Sequence, residues 1–99
     1  MFTLDKKYYD LLLDITGKIR ELLCQLPKRN TLEETALSNI NIARAQVFLS
    51  DNVIKIKAVP KSALYDALCG YENEDFIDDK ELYRELLEEL STQWLVICV

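Results

Sequence analysis

The sequence contains no histidine and only two glycines, Gly17 and Gly70. Without an imidazole the chain cannot build a Ser-His-Asp triad, a Cys-His dyad or a zinc site with histidine ligands. Two glycines this far apart cannot form a glycine-rich phosphate loop. Because these absences exclude the commonest catalytic groups, we expect a protein that is not an enzyme and that binds no cofactor.

The three cysteines, Cys24, Cys69 and Cys98, form no Cys-x-x-Cys pair. Their spacing does not match the usual zinc-ligand patterns, so we expect no metal site. An odd number of cysteines without a disulfide framework is typical of a reduced, intracellular chain. We expect all three to be small buried apolar residues, while a disulfide stays an open alternative.

Long apolar runs are also missing from the sequence. The longest run, 94–99, has six residues, against about 20 for a membrane-spanning helix. The first residues turn quickly to charge and lack the apolar core of a signal peptide. The 99 residues are expected to form a single domain, 1–99, that is soluble and cytoplasmic. The small size, the few glycines and the Asn, Ile and Tyr content would suit a phage or archaeal virus protein, and then the host cytoplasm.

Two helices are predicted in the first half of the chain. Apolar residues recur at helical spacing from 4 to 26, with Thr3 able to cap the start and Pro27 ending the helix. A capping-box pattern at 31–34, Thr-Leu-Glu-Glu, then predicts a second helix that reaches about Ala43. The buried face of this helix is predicted to be Leu32, Ala36, Leu37, Ile40 and Ala43.

The central stretch, about 45–59, is predicted to be a β-hairpin with Asp51-Asn52 as its two-residue turn. The opposed pairs are then Ala45–Ala58, Val47–Ile56 and Leu49–Ile54 on one face, and Gln46–Lys57, Phe48–Lys55 and Ser50–Val53 on the other. A shift of one residue would mix the apolar and polar faces, so the pattern agrees with the turn length. The alternative is that the second helix continues through Leu49 and that 53–59 is a lone strand.

The second half of the chain is predicted to hold two helices and a strand. The third helix covers 60–69, with Gly70 as its C-terminal cap. The last helix would be capped by Asp78, with Glu81 completing a capping box. The apolar segment 94–99 is predicted to be a strand that pairs with the hairpin. The order ααββααβ indicates an α+β fold with helices packed on a small antiparallel or mixed sheet.

Charge is unevenly distributed along the chain. Residues 1–65 carry a net charge of +3, whereas residues 66–90 carry 10 acidic and 2 basic side chains, a net −8. One hypothesis is an acidic surface that docks on a basic partner or mimics a nucleic-acid backbone. Its members would be Glu74, Asp75, Glu81, Glu85, Glu88 and Glu89. The alternative is an ordinary solvent-facing helix, in which the acidic residues of the first turn cap the helix and interact favourably with its dipole.

The hairpin is the second candidate surface. Its contact residues would be Arg44, Phe48, Val53, Lys55 and Lys57, joined by Tyr9 and Leu13. The apolar residues without an assigned core position motivate this choice, and they are Tyr9, Leu13, Phe48, Val53 and Val59. Such a hairpin can extend a partner's sheet. The alternative is that the lysines only keep the exposed face of the hairpin soluble and prevent its aggregation.

We therefore favour a non-catalytic protein–protein interaction module that binds another protein or forms a homo-oligomer. An acidic inhibitor that acts through 66–90 is the alternative. Direct nucleic-acid binding through Arg44, Lys55 and Lys57 is less favoured, because the net charge of the chain is −5. No membrane and no small-molecule substrate is expected as a partner.

Overall fold

The computed structural model describes residues 2–91, so the strand predicted over 94–99 lies outside the described residues. The elements are β1 (Phe2–Asp5), a short 3₁₀ turn (Lys6–Tyr8), α1 (Tyr9–Gln25), α2 (Thr31–Gln46), β2 (Phe48–Ser50), β3 (Val53–Ile56), α3 (Lys61–Leu68) and α4 (Lys80–Ser91). Helices packed with a small antiparallel sheet confirm the α+β class. The predicted order ααββααβ is not confirmed, since a strand precedes the first helix.

Residues 2–5 form a strand rather than the start of the first helix. β1 pairs antiparallel with β3 along its whole length. The side chain of Asp5 accepts a hydrogen bond of 2.9 Å from the backbone N–H of Lys7, which caps the 3₁₀ turn. Pairing with β3 outweighs the local helical pattern here. Thr3 therefore lies in a strand and caps no helix.

Asn30, not Thr31, caps the second helix. Its side-chain oxygen accepts from the N–H of Glu33 at 2.8 Å, and the Glu33 carboxylate accepts from the N–H of Asn30 at 2.9 Å. Asn30 and Thr31 each stand three residues before a glutamate, and Asn is the stronger cap. The helix also continues past Ala43 to Gln46. The first two residues assigned to the hairpin are therefore helical.

The turn and the register of the hairpin are confirmed. Asp51 and Asn52 both take left-handed backbone angles, with φ of 55° and 67°, as a two-residue hairpin turn requires. The pairs Leu49–Ile54, Phe48–Lys55 and Ser50–Val53 form as predicted. The pairs Ala45–Ala58 and Gln46–Lys57 are wrong, because the helix runs to residue 46 and β3 ends at residue 56. The pair Val47–Ile56 does not form either, because β2 begins only at Phe48. The alternative prediction, in which the second helix continues through Leu49, is thus correct for residues 45–46 and wrong for residues 48–49.

The sheet has the strand order β1-β3-β2, and one of its faces is buried. Along β3, Ile54 and Ile56 are fully buried, whereas Val53 and Lys55 on the opposite face are partly exposed. The helices cover the Ile54 side and complete one core. Helical members of that core include Leu12, Ile15, Ile19, Ile40, Leu64, Leu68, Leu86 and Leu90. Val59, which had no predicted core position, is buried there too.

The last two helices lie where the pattern predicts them. Gly70 takes a positive φ of 92° just after α3, a backbone conformation that glycine adopts without strain. α4 is capped by Asp79 rather than Asp78, because the Asp79 carboxylate accepts from the N–H of Leu82 at 3.0 Å. With this cap the third helical residue is Leu82, so the capping box predicted with Glu81 is wrong.

Candidate functional site

Four of the predicted contact residues lie together on the face of the sheet that the helices leave uncovered. These are Phe48, Val53, Lys55 and Lys57, which we call the outer sheet face. Phe48 lies directly opposite Lys55 in the ladder. The ammonium group of Lys57 lies 5.5 Å from the centroid of the Phe48 ring, within cation–π range. The outer sheet face therefore combines an aromatic ring with two cations.

β2 is an edge strand that exposes both of its apolar side chains. Phe48 is 38% exposed and Leu49 is 45% exposed. Neighbouring side chains on a strand point to opposite faces, so Leu49 lies on the side of Ile54, at the margin of the helix layer. The strand thus offers apolar contacts on both sides of a sheet edge, which is the kind of edge that pairs with another chain.

Arg44 does not reach the outer sheet face, because its guanidinium group contacts α1. Its Nη1 donates to the carbonyl of Leu13 at 2.7 Å and to the hydroxyl of Thr16 at 2.9 Å. The buried Thr16 hydroxyl in turn donates to the carbonyl of Leu12 at 2.6 Å. Gly17 leaves room for this contact, since a Cβ there would lie 3.2 Å from the Arg44 nitrogen. Arg44 therefore joins α2 to α1.

Tyr9 and Leu13 are also separate from the outer sheet face. Both lie on α1 and are half-buried, and Tyr9 packs against the hydrophobic core. Because α1 contributes to the core on the other side of the sheet, neither side chain belongs to the same surface as Phe48. The seven predicted contact residues thus divide into four on the outer sheet face and three, Arg44, Tyr9 and Leu13, that lie away from it on α1 and α2.

The acidic residues predicted as one surface divide between α4 and the turns before it. Glu74 and Asp75 are exposed in the turns. Glu81, Glu85 and Glu88 follow helical spacing and share one side of α4, which we call the acidic face. Glu81 and Glu88 are exposed there, whereas Glu85 is partly buried.

Two contacts join α4 to the basic part of the chain. The carboxylate of Glu85 lies 3.6 Å from the ammonium group of Lys7, and its charge raises the pKa of Lys7. The ammonium group of Lys61 donates to the backbone carbonyl of Glu89 at 3.4 Å. The acidic face is therefore partly neutralised at Glu85.

A buried tyrosine hydroxyl joins α3 to α4. Tyr83 is fully buried, donates to the carbonyl of Leu68 at 2.7 Å and accepts from the N–H of Tyr71 at 3.2 Å. Burial raises the pKa of Tyr83 to about 12. A neutral hydroxyl with both hydrogen-bonding roles occupied is a structural group rather than an acid–base catalyst.

The cysteines differ from the expectation of three buried side chains. Cys24 is exposed and free, and Cys69 is free and half-buried. Burial, assisted by the charge of Asp66, raises the pKa of the Cys69 thiol, which keeps it protonated and weakly reactive near neutral pH. Cys98 lies outside the described residues. Within 2–91 no three His, Cys, Asp or Glu side chains are grouped as metal ligands.

A shallow groove between α2 and α3 was not predicted from the sequence. Its volume is about 370 Å³, and its apolar lining includes Leu32, Ala36, Ala63 and Ala67. Leu32, which the helical pattern places in the core, is 81% exposed at its rim. The periodicity is correct for α2 as a whole, but Leu32 lies in its first turn, beyond the reach of the core. The sequence carries no signal for this difference.

None of the helices within residues 2–91 is both long enough and apolar enough to cross a bilayer. No protein-family model matches the chain, and no curated protein or solved structure shows a significant match. Function must therefore be argued from the surfaces of the molecule itself, of which the outer sheet face with its β2 edge and the acidic face of α4 are the two strongest candidates.

Proposed function

We propose that the protein is a non-catalytic interaction module that binds another protein, or a second copy of itself, through its hairpin. The observation that supports this most is the exposure of Phe48 and Leu49, two adjacent large apolar side chains on an edge strand. Edge strands accept strands from partners, and apolar side chains exposed on both sides of such a strand add contacts to that pairing. Lys55 and Lys57 favour an acidic partner surface next to Phe48.

The energy available from these two side chains is modest. Burying a fully exposed Phe or Leu contributes roughly 1.5–3 kcal/mol. Because Phe48 and Leu49 are each less than half exposed, further burial contributes about 1 kcal/mol from each. A stable complex therefore also needs the backbone of β2 and the charges of Lys55 and Lys57, which makes the affinity sensitive to salt.

The test compares Phe48→Asp and Leu49→Asp with a matched control, Leu32→Asp. Leu32 is apolar and more exposed than either hairpin residue, but it lies on α2. Each tagged variant is expressed in the source cell and recovered with its bound proteins, and circular dichroism verifies the fold. We expect the hairpin variants to lose about tenfold or more of a specific partner, the equivalent of 1.4 kcal/mol, while the control keeps it. Equal recovery by all three variants contradicts the proposal.

The alternative function is an inhibitor that binds a basic protein through the acidic face of α4. Glu81 and Glu88 support it, because both are exposed on the same side of the helix. Their interaction with a basic partner should weaken steeply as salt is added. Reversing both charges with Glu81→Lys and Glu88→Lys should abolish the binding. A partner that still binds this double variant at low salt does not use the acidic face.

Nucleic-acid binding through the hairpin is a weaker proposal. Arg44 is held against α1, so Lys55 and Lys57 are what remains of the predicted basic set. A mobility-shift titration at low salt decides it, since a real contact must weaken as salt rises. A cytoplasmic location, a viral source and a final strand at 94–99 also stay proposals.

A further inference from the structure

Leu49 is the residue of β2 whose backbone polar groups face the outer edge of the sheet. In a two-residue hairpin turn the flanking residues, Ser50 and Val53, bond to each other across the turn. Hydrogen-bonded and non-hydrogen-bonded pairs alternate along an antiparallel ladder, so Phe48 also bonds to β3 and Leu49 does not. The N–H and C=O of Leu49 therefore point away from β3, toward an edge that no strand within residues 2–91 occupies.

A strand added at this edge has a fixed pattern of side chains. The residue that pairs with Leu49 lies on the inner side, next to the exposed Leu49 side chain, so an apolar residue fits there. Its two neighbours point to the outer sheet face, one beside Phe48 and the other beside Ser50. Since backbone hydrogen bonds are the same for every sequence, these side-chain positions determine which strand binds.

The outer sheet face is positively charged beside Phe48. The ammonium group of Lys57 lies 5.5 Å from the centroid of the Phe48 ring, and Lys55 lies opposite Phe48 in the ladder. Neither lysine forms an ion pair within residues 2–91. Asp5 faces the same side, but it lies on β1, the far strand, and its carboxylate accepts from the N–H of Lys7. Two cations next to the β2 edge are therefore left without a carboxylate partner.

This charge favours an acidic strand over the other occupants of the edge. A second copy that paired antiparallel through its own β2 would bring another Lys55 and Lys57 to the same face, and like charges oppose that association. A phosphate backbone would also neutralise the lysines, but it leaves the N–H and C=O of Leu49 without the matching groups that a strand supplies. A strand with a carboxylate beside Phe48 satisfies both the edge and the lysines.

We propose that β2 accepts a strand from an acidic partner protein, with an apolar residue paired with Leu49 and an aspartate or glutamate beside Phe48. The carboxylate lies within reach of Lys55 and Lys57. The partner sequence thus alternates acidic and apolar residues. This inference rests on the binding function proposed for the hairpin, and it names the class of partner.

Three capped heptapeptides test the pattern on the full-length protein. The acidic peptide is Thr-Glu-Val-Glu-Val-Glu-Thr, whose alternation suits either strand direction, and its matched control has lysine at each glutamate position. A third peptide, Glu-Glu-Glu-Val-Val-Thr-Thr, keeps the charge and loses the alternation. NMR titration at low salt follows the backbone amides. We expect the acidic peptide to move the Leu49 amide proton downfield and to bind about tenfold or more tightly than the other two.

Equal binding by the acidic and the lysine peptides overturns the proposal, as does equal binding by the acidic peptide and the peptide without alternation. Binding that leaves the Leu49 amide unmoved is ionic contact without strand pairing, and it overturns the proposal too. A single-stranded decathymidylate that binds more tightly than the acidic peptide has the same consequence, because it identifies the lysines as a phosphate site.

A second measurement, in the source cell, separates this proposal from the hairpin function. Lys55→Glu with Lys57→Glu is compared with Lys18→Glu with Lys28→Glu, which changes the net charge equally at exposed positions outside the sheet. We expect the first pair to lose about tenfold or more of the bound partner and the second pair to keep it. A partner that is lost with Phe48→Asp but kept by the first pair overturns the acidic strand and leaves the hairpin function in place. If no partner depends on Phe48, both proposals fail.

Discussion

Replacing Arg44 with methionine removes the hydrogen bonds that join α2 to α1. The guanidinium group donates to the carbonyl of Leu13 and to the hydroxyl of Thr16, at 2.7 and 2.9 Å. Methionine keeps an apolar stem of similar length, so packing against α1 is largely preserved. The variant therefore isolates the two polar contacts. If Arg44 belonged instead to a partner-binding surface, its loss would leave stability unchanged.

The expected loss of stability follows from the donor and its partial burial. A hydrogen bond to a charged group contributes about 1.5–3 kcal/mol, and here a single nitrogen of a half-buried side chain makes both bonds. We therefore expect Arg44→Met to lower the free energy of unfolding by about 2–3 kcal/mol. For a domain of this size each kcal/mol corresponds to about 4–8 °C, so Tm should fall by about 10–20 °C.

Urea unfolding followed by circular dichroism measures this loss, and Arg84→Met is the matched control. Arg84 is exposed on α4, so its replacement should change the free energy by about 0.5 kcal/mol or less. Thr16→Val removes the other partner, and the double variant closes a cycle. We expect a coupling energy of about 1 kcal/mol between Arg44 and Thr16, because they share a hydrogen bond.

Three outcomes separate the explanations. If Arg44→Met lowers the free energy of unfolding by about 2 kcal/mol, is coupled to Thr16→Val and leaves partner binding intact, Arg44 has a structural role. A loss comparable with that of Arg84→Met refutes the reasoning. A large loss without coupling to Thr16 shows that the stability comes from the apolar stem or from another contact, and it refutes the hydrogen-bond account specifically.

Three further predictions concern stability at other positions, each measured by urea or thermal unfolding. Asn30→Ala removes the capping box and should cost about 1 kcal/mol, while Thr31→Ala, beside it, should cost less than half of that. Asn52→Gly should stabilise the protein by about 0.5–1 kcal/mol, because residue 52 has a positive φ and Asp-Gly is the better turn. Tyr83 has a pKa of about 12 in the folded state, above its usual value of 10, so its contribution is complete below pH 10 and is lost as the pH rises through 12. Tyr83→Phe should remove that alkaline loss and cost about 1–2 kcal/mol at neutral pH.

The hairpin register could be predicted because two independent features agree. The apolar alternation and the two-residue length of the Asp51-Asn52 turn permit a single register, and the structure has that register at Leu49–Ile54. The outer sheet face follows from it, since Phe48 and Lys55 are then neighbours. The sequence alone was thus sufficient to predict the hairpin register, because the apolar alternation and the turn length both lie within about ten residues.

The N-terminal strand and the role of Arg44 could not be predicted in the same way. Leu4 fits the helical period that continues through Tyr8, yet residues 2–5 form a strand because β3 presents an edge to pair with. Arg44 lies near the hairpin in the sequence, but its long side chain turns toward Thr16, 28 residues earlier. Both outcomes depend on contacts between distant parts of the chain, which periodicity does not encode.

The caps show how small differences between neighbouring residues decide a boundary. Asn30 and Thr31, like Asp78 and Asp79, are adjacent residues that can each cap a helix, and the predicted cap is displaced by one residue in both cases. The local sequence located each boundary to within one residue but did not identify the capping residue itself. The exposure of Leu32 at the start of α2 reflects the same limit, since it depends on where the core ends.

The central claim, that the hairpin binds a protein, is tested most directly by a photo-crosslinker placed at Phe48. Benzoylphenylalanine replaces Phe48 in one chain and Leu32 in a matched chain, and both are irradiated in the source cell. We predict a discrete covalent product, either with one partner or with a second copy of the chain, from position 48 and not from position 32. The product should disappear when Leu49→Asp is added. Products of equal yield from both positions, or none from position 48, would contradict the account.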